Sequence, residues 1–211
     1  MRRRLIGQRI AASCLAGVTL FLPYFSESLA ELDPIQPPPA KGVLLVAHPS
    51  MDDPNFRHTV VLLVEHGPRG TAGLVLNRPT NMLLSQALPD RPALRGSTNH
   101  LFIGGPVFAN HLTILVKTQD TEPGLRQVAN GLYVSGSLEI LDRLVTQPKS
   151  LEAFRVFVGM AGWAPGQLAT EIREGAWGTL SADVTAIFDH DPDTLWIDSI
   201  RRLQAPRIIS Y

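Results

Sequence analysis

Short apolar runs along the chain have the length and composition of β-strands. Gly42–His48 and Thr59–His66 are nearly continuous runs rich in valine and leucine, which is typical of strands buried on both faces. The sequence GPRG, Gly67–Gly70, follows the second run and predicts a tight hairpin. The other predicted strands are Thr71–Asn77, Leu101–Gly105, Leu112–Lys117, Leu132–Gly136 and Phe154–Met160.

Three later segments place their apolar residues on one face at helical spacing. The predicted helices are Ser137–Thr146, Gly166–Glu174 and Pro192–Gln204. The third has Asp191 as N-cap and Pro192 at its first position, and both favour a helix start. Because the strands arrive mostly in hairpins and the helices come late, the order predicts an α+β domain of mostly antiparallel sheet with about three flanking helices.

Composition agrees with one folded domain. The chain has 211 residues, of which 45% are hydrophobic and 18% charged, so it can fill a core. The first thirty residues hold four arginines and one glutamate, which leaves 15 basic and 18 acidic residues in the body. A slightly acidic body has no basic surface for phosphate backbones, so nucleic acid is not an expected partner.

The first thirty residues have the anatomy of a secretory leader. Met1–Arg4 is basic, Ala11–Leu22 is apolar, and Ser28–Ala30 places small residues at the −3 and −1 positions of a cleavage site. The apolar run is short for a transmembrane helix, which needs about 20 residues. We therefore expect an exported, periplasmic protein, with membrane contact only if the leader stays uncleaved. A misassigned start codon in a cytoplasmic protein is the alternative.

Between the leader and the domain lies a proline-rich linker at residues 31–41, which we expect to be extended. The domain itself is expected to cover residues 42–211. Cys14 is the only cysteine in the chain and falls inside the leader. A mature protein without it has no disulfide, cysteine nucleophile or thiolate metal site.

The segment 48–58, HPSMDDPNFRH, is the part of the chain richest in potentially reactive side chains. It joins two buried strands, and Pro49 and Pro54 restrict its backbone while the aspartates can bond neighbouring amides as in Asx turns. Ser50 lacks the Gly-x-Ser-x-Gly setting of a nucleophile elbow. A metal site here would draw on His48, on Asp52 or Asp53, and on His58. The pattern favours a structural turn over a catalytic or metal site.

Three ordered motifs carry a family resemblance. They are HPSMDDPNFRHTVVLLVEHGPRGTAGLVLNRPT from His48, GGPV at Gly104–Val107, and GMAGWAPGQLATEIREGAW at Gly159–Trp177. Together they resemble the YqgE/AlgH family over about residues 42–200. The resemblance implies a small α+β domain with bifurcated, coiled sheets. It implies no defined biochemical activity, although one member is named as a regulator of alginate synthesis.

The likeness is strong at individual positions but incomplete. The matching positions are Pro49, Asp53, Phe56, Glu65, His66, Gly73, Asn77, Pro79, Gly104–Val107, Gly162, Trp163, Gln167 and Trp177. His48 departs, because the family usually has an apolar residue before that proline. The leader, the linker and the tail APRIISY depart as well.

Each matched group has a structural and a ligand-binding interpretation. The glycines of GGPV allow either a tight turn or a close approach to a ligand. The amides at the start of the third motif's helix could hold a small anion, or Trp163 and Gln167 could form a packed corner. The candidate ligand-binding residues are Asp53, Glu65, His66, Asn77, Gly104, Gly105, Gly162, Trp163 and Gln167. No catalytic residue, metal ligand or cofactor is assigned.

Three classes of function remain open at this stage. The leading hypothesis is a non-catalytic binding or regulatory module that acts through a protein partner or a small anionic ligand. The second is a hydrolase or metal-assisted enzyme, which would need Asp53, Glu65, His66 and Asn77 to converge in one cleft. The third, a transcriptional regulator, is implied by the family name alone, and no helix-turn-helix pattern supports it.

Overall fold

The computed structural model describes residues 36–205. Its strands are β1 (Val43–Ala47), β2 (Val60–Gly67), β3 (Gly70–Val75), β4 (Pro79–Leu83), β5 (His100–Ile103), β6 (Val107–Lys117), β7 (Arg126–Ala129), β8 (Leu132–Ser135), β9 (Ala153–Trp163) and β10 (Trp177–Ser181). Its α-helices are α1 (Leu84–Ala87), α2 (Leu138–Thr146), α3 (Gln167–Arg173), α4 (Val184–Asp189) and α5 (Pro192–Gln204). The predicted α+β class is confirmed.

All seven predicted strands and all three predicted helices are present, most with shifts of three residues or fewer at their ends, whereas β6 begins five residues before its predicted start. The hairpin at GPRG is also confirmed, since Gly67 and Gly70 pair across it. Strands β4, β7 and β10 and helices α1 and α4 were not predicted, so the described residues hold five α-helices rather than about three. Of these, α4 is short and is capped by Asp183, whose carboxylate accepts the Ala186 N–H.

The strands form one curled sheet in which β9 is the branching strand. The main path runs β10-β1-β2-β3-β9-β6-β8-β7, and its pairings are antiparallel. Along one edge β9 pairs with β6. Along the other edge its middle pairs in parallel with β5, whereas its last residues pair with β3. The sheet therefore forks at β9, as the family resemblance implies.

A crossing of two chain segments makes the fork possible. At Gly104 the N–H donates to the Val158 carbonyl at 2.8 Å and the carbonyl accepts the Val75 N–H at 2.9 Å. A Cβ atom on Gly105 would lie 2.2 Å from the carbonyl carbon of Met160, and Gly105 has a φ of 148°. Only glycine fits such a close backbone approach. The GGPV motif is thus explained by packing.

The core lies on both faces of the first strands. Every residue of β1 is buried, and so are the first five of β2, as their uninterrupted apolar runs predict. Leu44 and Leu62 pack on one face with Phe157, whereas Leu45 and Leu63 pack on the other with the indoles of the third motif. At roughly 1.5–3 kcal/mol for each fully buried side chain, this double layer is the main source of stability.

A partly buried ion cluster ties α2 to the start of β9. Arg143 of α2 donates to Glu152 at 2.6 Å and also binds Glu122. The Glu152 side chain is only 4% exposed and accepts the Lys149 N–H at 2.9 Å. Burial alone would raise the pKa of Glu152, but the hydrogen bonds from Arg143 and Lys149 and the arginine charge outweigh burial and lower that pKa.

The N-terminal part of the described chain is attached to the domain. Thr179 of β10 donates its N–H to Oε1 of Gln36 at 2.7 Å and its hydroxyl to the Pro37 carbonyl at 2.6 Å. The described end of the linker therefore runs along β10. The predicted leader, the first part of the linker and the tail after residue 205 lie outside the described residues. Within the described part, no helix has the length and apolar character needed to span a bilayer.

Candidate functional site

The four polar residues required by the hydrolase hypothesis do not meet. Asp53 and Asn77 lie at the start of β2, whereas Glu65 and His66 lie at its far end beside the hairpin. An eight-residue strand separates the two pairs. The cleft that would make this group catalytic is therefore absent from the described structure.

Asn77 acts as a backbone clamp at the first of these ends. Its Oδ1 accepts the Val60 N–H at 3.0 Å, and its Nδ2 donates to the His58 carbonyl at 2.9 Å. The Val60 N–H belongs to the first residue of β2 and the His58 carbonyl precedes the strand, and both would otherwise need other partners. The geometry of Asn77 is that of a structural residue.

The segment 48–58 is a loop with turns, as its prolines and aspartates predict. Asp53 Oδ1 accepts the Asn55 N–H at 2.8 Å, which is the expected Asx turn. The ring of His58 packs on Trp196, with centroids 4.3 Å apart. In residues 36–205 no group of three His, Cys, Asp or Glu side chains is placed to hold a metal ion.

Within that loop, His48 Nδ1 and Ser50 Oγ lie 2.7 Å apart, and both residues are exposed. The Ser50 N–H also donates to the same Nδ1 at 3.2 Å, so the imidazole nitrogen closes a local turn. A serine nucleophile needs a base together with an oxyanion site in a sheltered pocket. The His48–Ser50 pair lies outside each of the concavities described below.

Trp163 belongs to a packed corner whose centre was missed in the sequence. The indole N–H groups of Trp163 and Trp177 both donate to Oε2 of Glu171 at 2.9 Å. Oε1 of Glu171 accepts from Gln167 at 2.9 Å, and Gln167 in turn accepts the Ala164 N–H. The two indoles are only 5% and 3% exposed. Gln167 thus supports the corner, and it lines none of the three concavities described below.

Phe56 completes this corner from the 48–58 loop. Its ring stacks on Trp163 with centroids 5.9 Å apart and meets Trp177 edge-on at 5.6 Å. The loop therefore covers one face of the domain with an aromatic side chain. Its sequence serves packing as well as turn formation.

At the other end of β2 the sheet surface is concave. A β-bulge between Leu63 and Glu65 shifts the strand register, and bulges re-aim side chains. Glu65 pairs with Arg126 of β7 at 3.1 Å, and Arg126 also donates to the Val64 carbonyl. Both side chains of this ion pair are about half exposed, so it contributes little stability and leaves charge available on the surface.

Two adjoining concavities open beside this ion pair. The first has a volume of about 300 Å³ and is lined by Glu65, Ala72, Phe108, His111, Arg126 and Met160, among others. The second, about 450 Å³, is lined by Glu65, Arg69, Ala72, Val107, Phe108, Gly162 and Trp163, among others. Because Glu65, Ala72 and Phe108 border both, the two form one surface feature, the Phe108 groove. Of the candidate binding residues, Glu65, Gly162 and Trp163 line it.

Phe108 is the most unusual residue of the groove. Its side chain is 71% exposed, and its φ of 53° lies in the left-handed region. A large aromatic residue in that region is an outlier that costs about 1–2 kcal/mol. The cause is local: between Val107 and Leu112, β6 bulges away from the much shorter matching stretch of β9.

The groove combines apolar and charged surface. Val107 and Met160 lie beside Phe108, while Arg69, Arg126 and His111 offer hydrogen-bond donors and Glu65 is the acidic group. Such a mixture can hold an apolar side chain and orient its polar neighbours.

Fold and surface together define a class: a small α+β domain with a forked sheet and an open groove. Comparison with known proteins identifies the family. The family model described as AlgH-like matches residues 44–207. The chain belongs to this family.

Individual relatives agree with that assignment. A UPF0301 protein of Streptomyces coelicolor is 37% identical over 165 residues, covering 76% of this chain and 85% of its own. One from Chlorobium luteolum is 34% identical over 171 residues, covering 77% and 85%.

Two solved structures are also similar. The solution structure of the AlgH protein from Pseudomonas aeruginosa is 29% identical, with a TM-score of 0.65, and covers 82% of this chain and 93% of that chain. The crystal structure of protein DIP2367 from Corynebacterium diphtheriae is 30% identical, also with a TM-score of 0.65, and covers 81% and 90%.

Proposed function

We propose that the domain is a non-catalytic binding module that recognises an extended peptide segment of a partner protein in the Phe108 groove. The observation that carries this proposal is Phe108 itself. Strained residues persist where the surrounding structure enforces them, and they cluster at ligand-binding sites. Here the strain presents an aromatic ring to solvent between two concavities.

A peptide suits the groove better than a compact small molecule. Phe108 borders both concavities and both are open, so two side chains of an extended segment can lie beside its ring. An aromatic residue surrounded by polar groups is a common anchor of protein interfaces. Arg126 and Arg69 provide donors for backbone carbonyls or acidic side chains of such a peptide, and Glu65 provides an acceptor.

Peptide selection with a matched control tests the proposal. Random short peptides would be selected by display on the full-length chain, and their affinities measured by fluorescence anisotropy. Phe108→Ser is expected to weaken the selected peptides by at least about tenfold. Leu151→Ser is the control, because Leu151 is also apolar, 80% exposed and left-handed, with a φ of 68°, but lies outside the groove. Equal affinities for both variants, or no enriched peptide, would contradict the proposal.

We also propose that the protein is exported and cleaved after Ala30. The support is the leader anatomy, with its basic start, short apolar run and small residues before the cleavage site. N-terminal sequencing of the protein from its native host is expected to begin at Glu31. A full-length product in the cytoplasm would exclude export.

A further inference from the structure

A third concavity, of about 250 Å³, lies apart from the Phe108 groove and shares no lining residue with it. Its walls include Phe102, Phe154 and Phe188, and Asn99 and His100 lie at its rim. The charged group in its lining is Arg155 of β9. A partly buried guanidinium in an aromatic cavity needs an explanation, because buried charge is costly unless it is paired.

The hydrogen bonds of Arg155 leave its charge poorly satisfied. Nη2 donates to the carbonyls of Phe188 and His190 at 3.3 and 3.5 Å, which are long contacts at the C-terminal end of α4. Nη1 is buried and has no hydrogen-bond partner. The cation also lies over the rings of Phe102 and Phe188, at 5.1 and 5.8 Å from their centroids.

A counter-ion is missing among the described residues. Asp189 is the acidic group that acts on Arg155, but its carboxylate is in ion-pair contact with Lys117, at 3.7 Å, and not with Arg155. Burial lowers the pKa of Arg155, which shows that the surroundings disfavour its charge. An anion in the cavity would supply the missing charge by Coulomb attraction, which is strong in a partly desolvated site.

We infer that this cavity, the Arg155 cavity, binds a small aromatic monocarboxylate. Its volume corresponds to roughly eight water molecules at about 30 Å³ each, which is about the size of a ligand with one aromatic ring. The phenylalanine walls match an aromatic ring, and the guanidinium matches a carboxylate. A phosphate dianion fits less well, because Asp189 would repel its second charge and the walls offer it few donors.

Benzoate and its neutral isostere benzamide form the direct test on the full-length chain. With benzoate at ten times its dissociation constant, which we expect near 1 mM, the melting temperature should rise by about 3–6 °C. Benzamide should bind at least about tenfold more weakly in calorimetry, because it has the same shape without the charge. Acetate should also be weaker, because it lacks the ring.

Variants of Arg155 locate the site. Arg155→Met is expected to weaken benzoate at least about tenfold, and Arg155→Lys to weaken it less, because lysine keeps the charge without the planar fork. Arg201→Met is the control, since Arg201 is an exposed arginine of α5. If Arg155→Met does not fold, the lysine variant and the benzoate–benzamide comparison still test whether Arg155 binds the carboxylate.

Three results would overturn the inference. Benzamide could bind as well as benzoate, or benzoate could fail to bind the wild-type chain. Alternatively, benzoate binding could persist unchanged in the folded Arg155 variants. If inorganic phosphate binds more tightly than benzoate, the ligand class is not an aromatic monocarboxylate.

Discussion

Glu171 accepts both indole N–H groups of the packed corner, so its removal is expected to destabilise the domain. In Glu171→Ala, two buried indole N–H groups lose one charged acceptor, and each such bond contributes about 1.5–3 kcal/mol. Because Glu171 is only half-buried, water can partly replace the carboxylate. We therefore expect a loss of about 2–3 kcal/mol in the free energy of unfolding, or a melting temperature lower by about 4–12 °C.

Glu171→Gln tests the directions of the hydrogen bonds around Gln167. The new amide can point its oxygen at the indoles, but its NH2 group then faces the NH2 group of Gln167. Gln167 cannot flip without losing the Ala164 N–H, so one donor stays unpaired. Adding Gln167→Glu removes the conflict, since a carboxylate at position 167 accepts both donors. The double variant should therefore be more stable than Glu171→Gln alone.

Urea unfolding followed by far-UV circular dichroism measures these differences. Glu174→Ala is the control, because Glu174 is exposed at the end of the same helix. If Glu171→Ala and Glu174→Ala agree within about 0.5 kcal/mol, the twin indole bonds do not stabilise the domain. If the double variant is no better than the single one, the hydrogen-bond directions described for Gln167 are wrong.

Three further predictions concern residues that stabilise the fold outside the packed corner. Asn77→Ala should lower the free energy of unfolding, measured in urea, by about 1–2 kcal/mol. Asn77→Asp should lower it by about half as much, because aspartate keeps the acceptor and loses the donor. Equal stability of the wild-type protein and both variants would contradict the clamp. Gly105→Ala should cost more than about 3 kcal/mol, owing to the clash with Met160, whereas Gly96→Ala, also at positive φ but in open space, should cost much less. Because the folded-state pKa of Glu152 lies below the ordinary 4.5, its stabilisation is complete above that value and is lost as the pH falls through the lower folded pKa. Acid unfolding of Glu152→Gln should therefore show a shallower loss of stability below about pH 4.5, and identical slopes would refute this.

Much of the sheet could be predicted because its inner strands have a hydrophobic pattern that is typical of buried strands. Strands β1 and β2 are buried on both faces and read as continuous apolar runs. By contrast, β4 begins with a proline and has no buried residue, and β7 has only four residues. Such strands form because a neighbouring strand pairs with them, and the local sequence pattern does not reveal that pairing.

The candidate sites depend even more on distant pairing. Gln167 and Glu171 are four apart on a helix, a spacing that signals contact. The convergence of Trp163 and Trp177 on Glu171 also requires the pairings β3–β9 and β1–β10, which lie far apart in sequence. Likewise, the exposure of Phe108 follows from a bulge against β9 that is invisible in the letters GGPVFAN. Local sequence rules do not predict which strands pair when they lie far apart in the sequence.

The fork at β9 has a consequence for how the chain is made. Strand β3 ends at Val75, and the strand that covers its free edge is complete only at Trp163. At about 5–20 residues per second, a ribosome needs roughly 4–18 s to synthesise the 88 intervening residues. Until β9 is complete, β3 and then β5 and β6, once they are synthesised, lack the partner that joins them, and their open edges can pair with other nascent chains. We therefore expect chains truncated before β9 to aggregate during translation and to recruit chaperones.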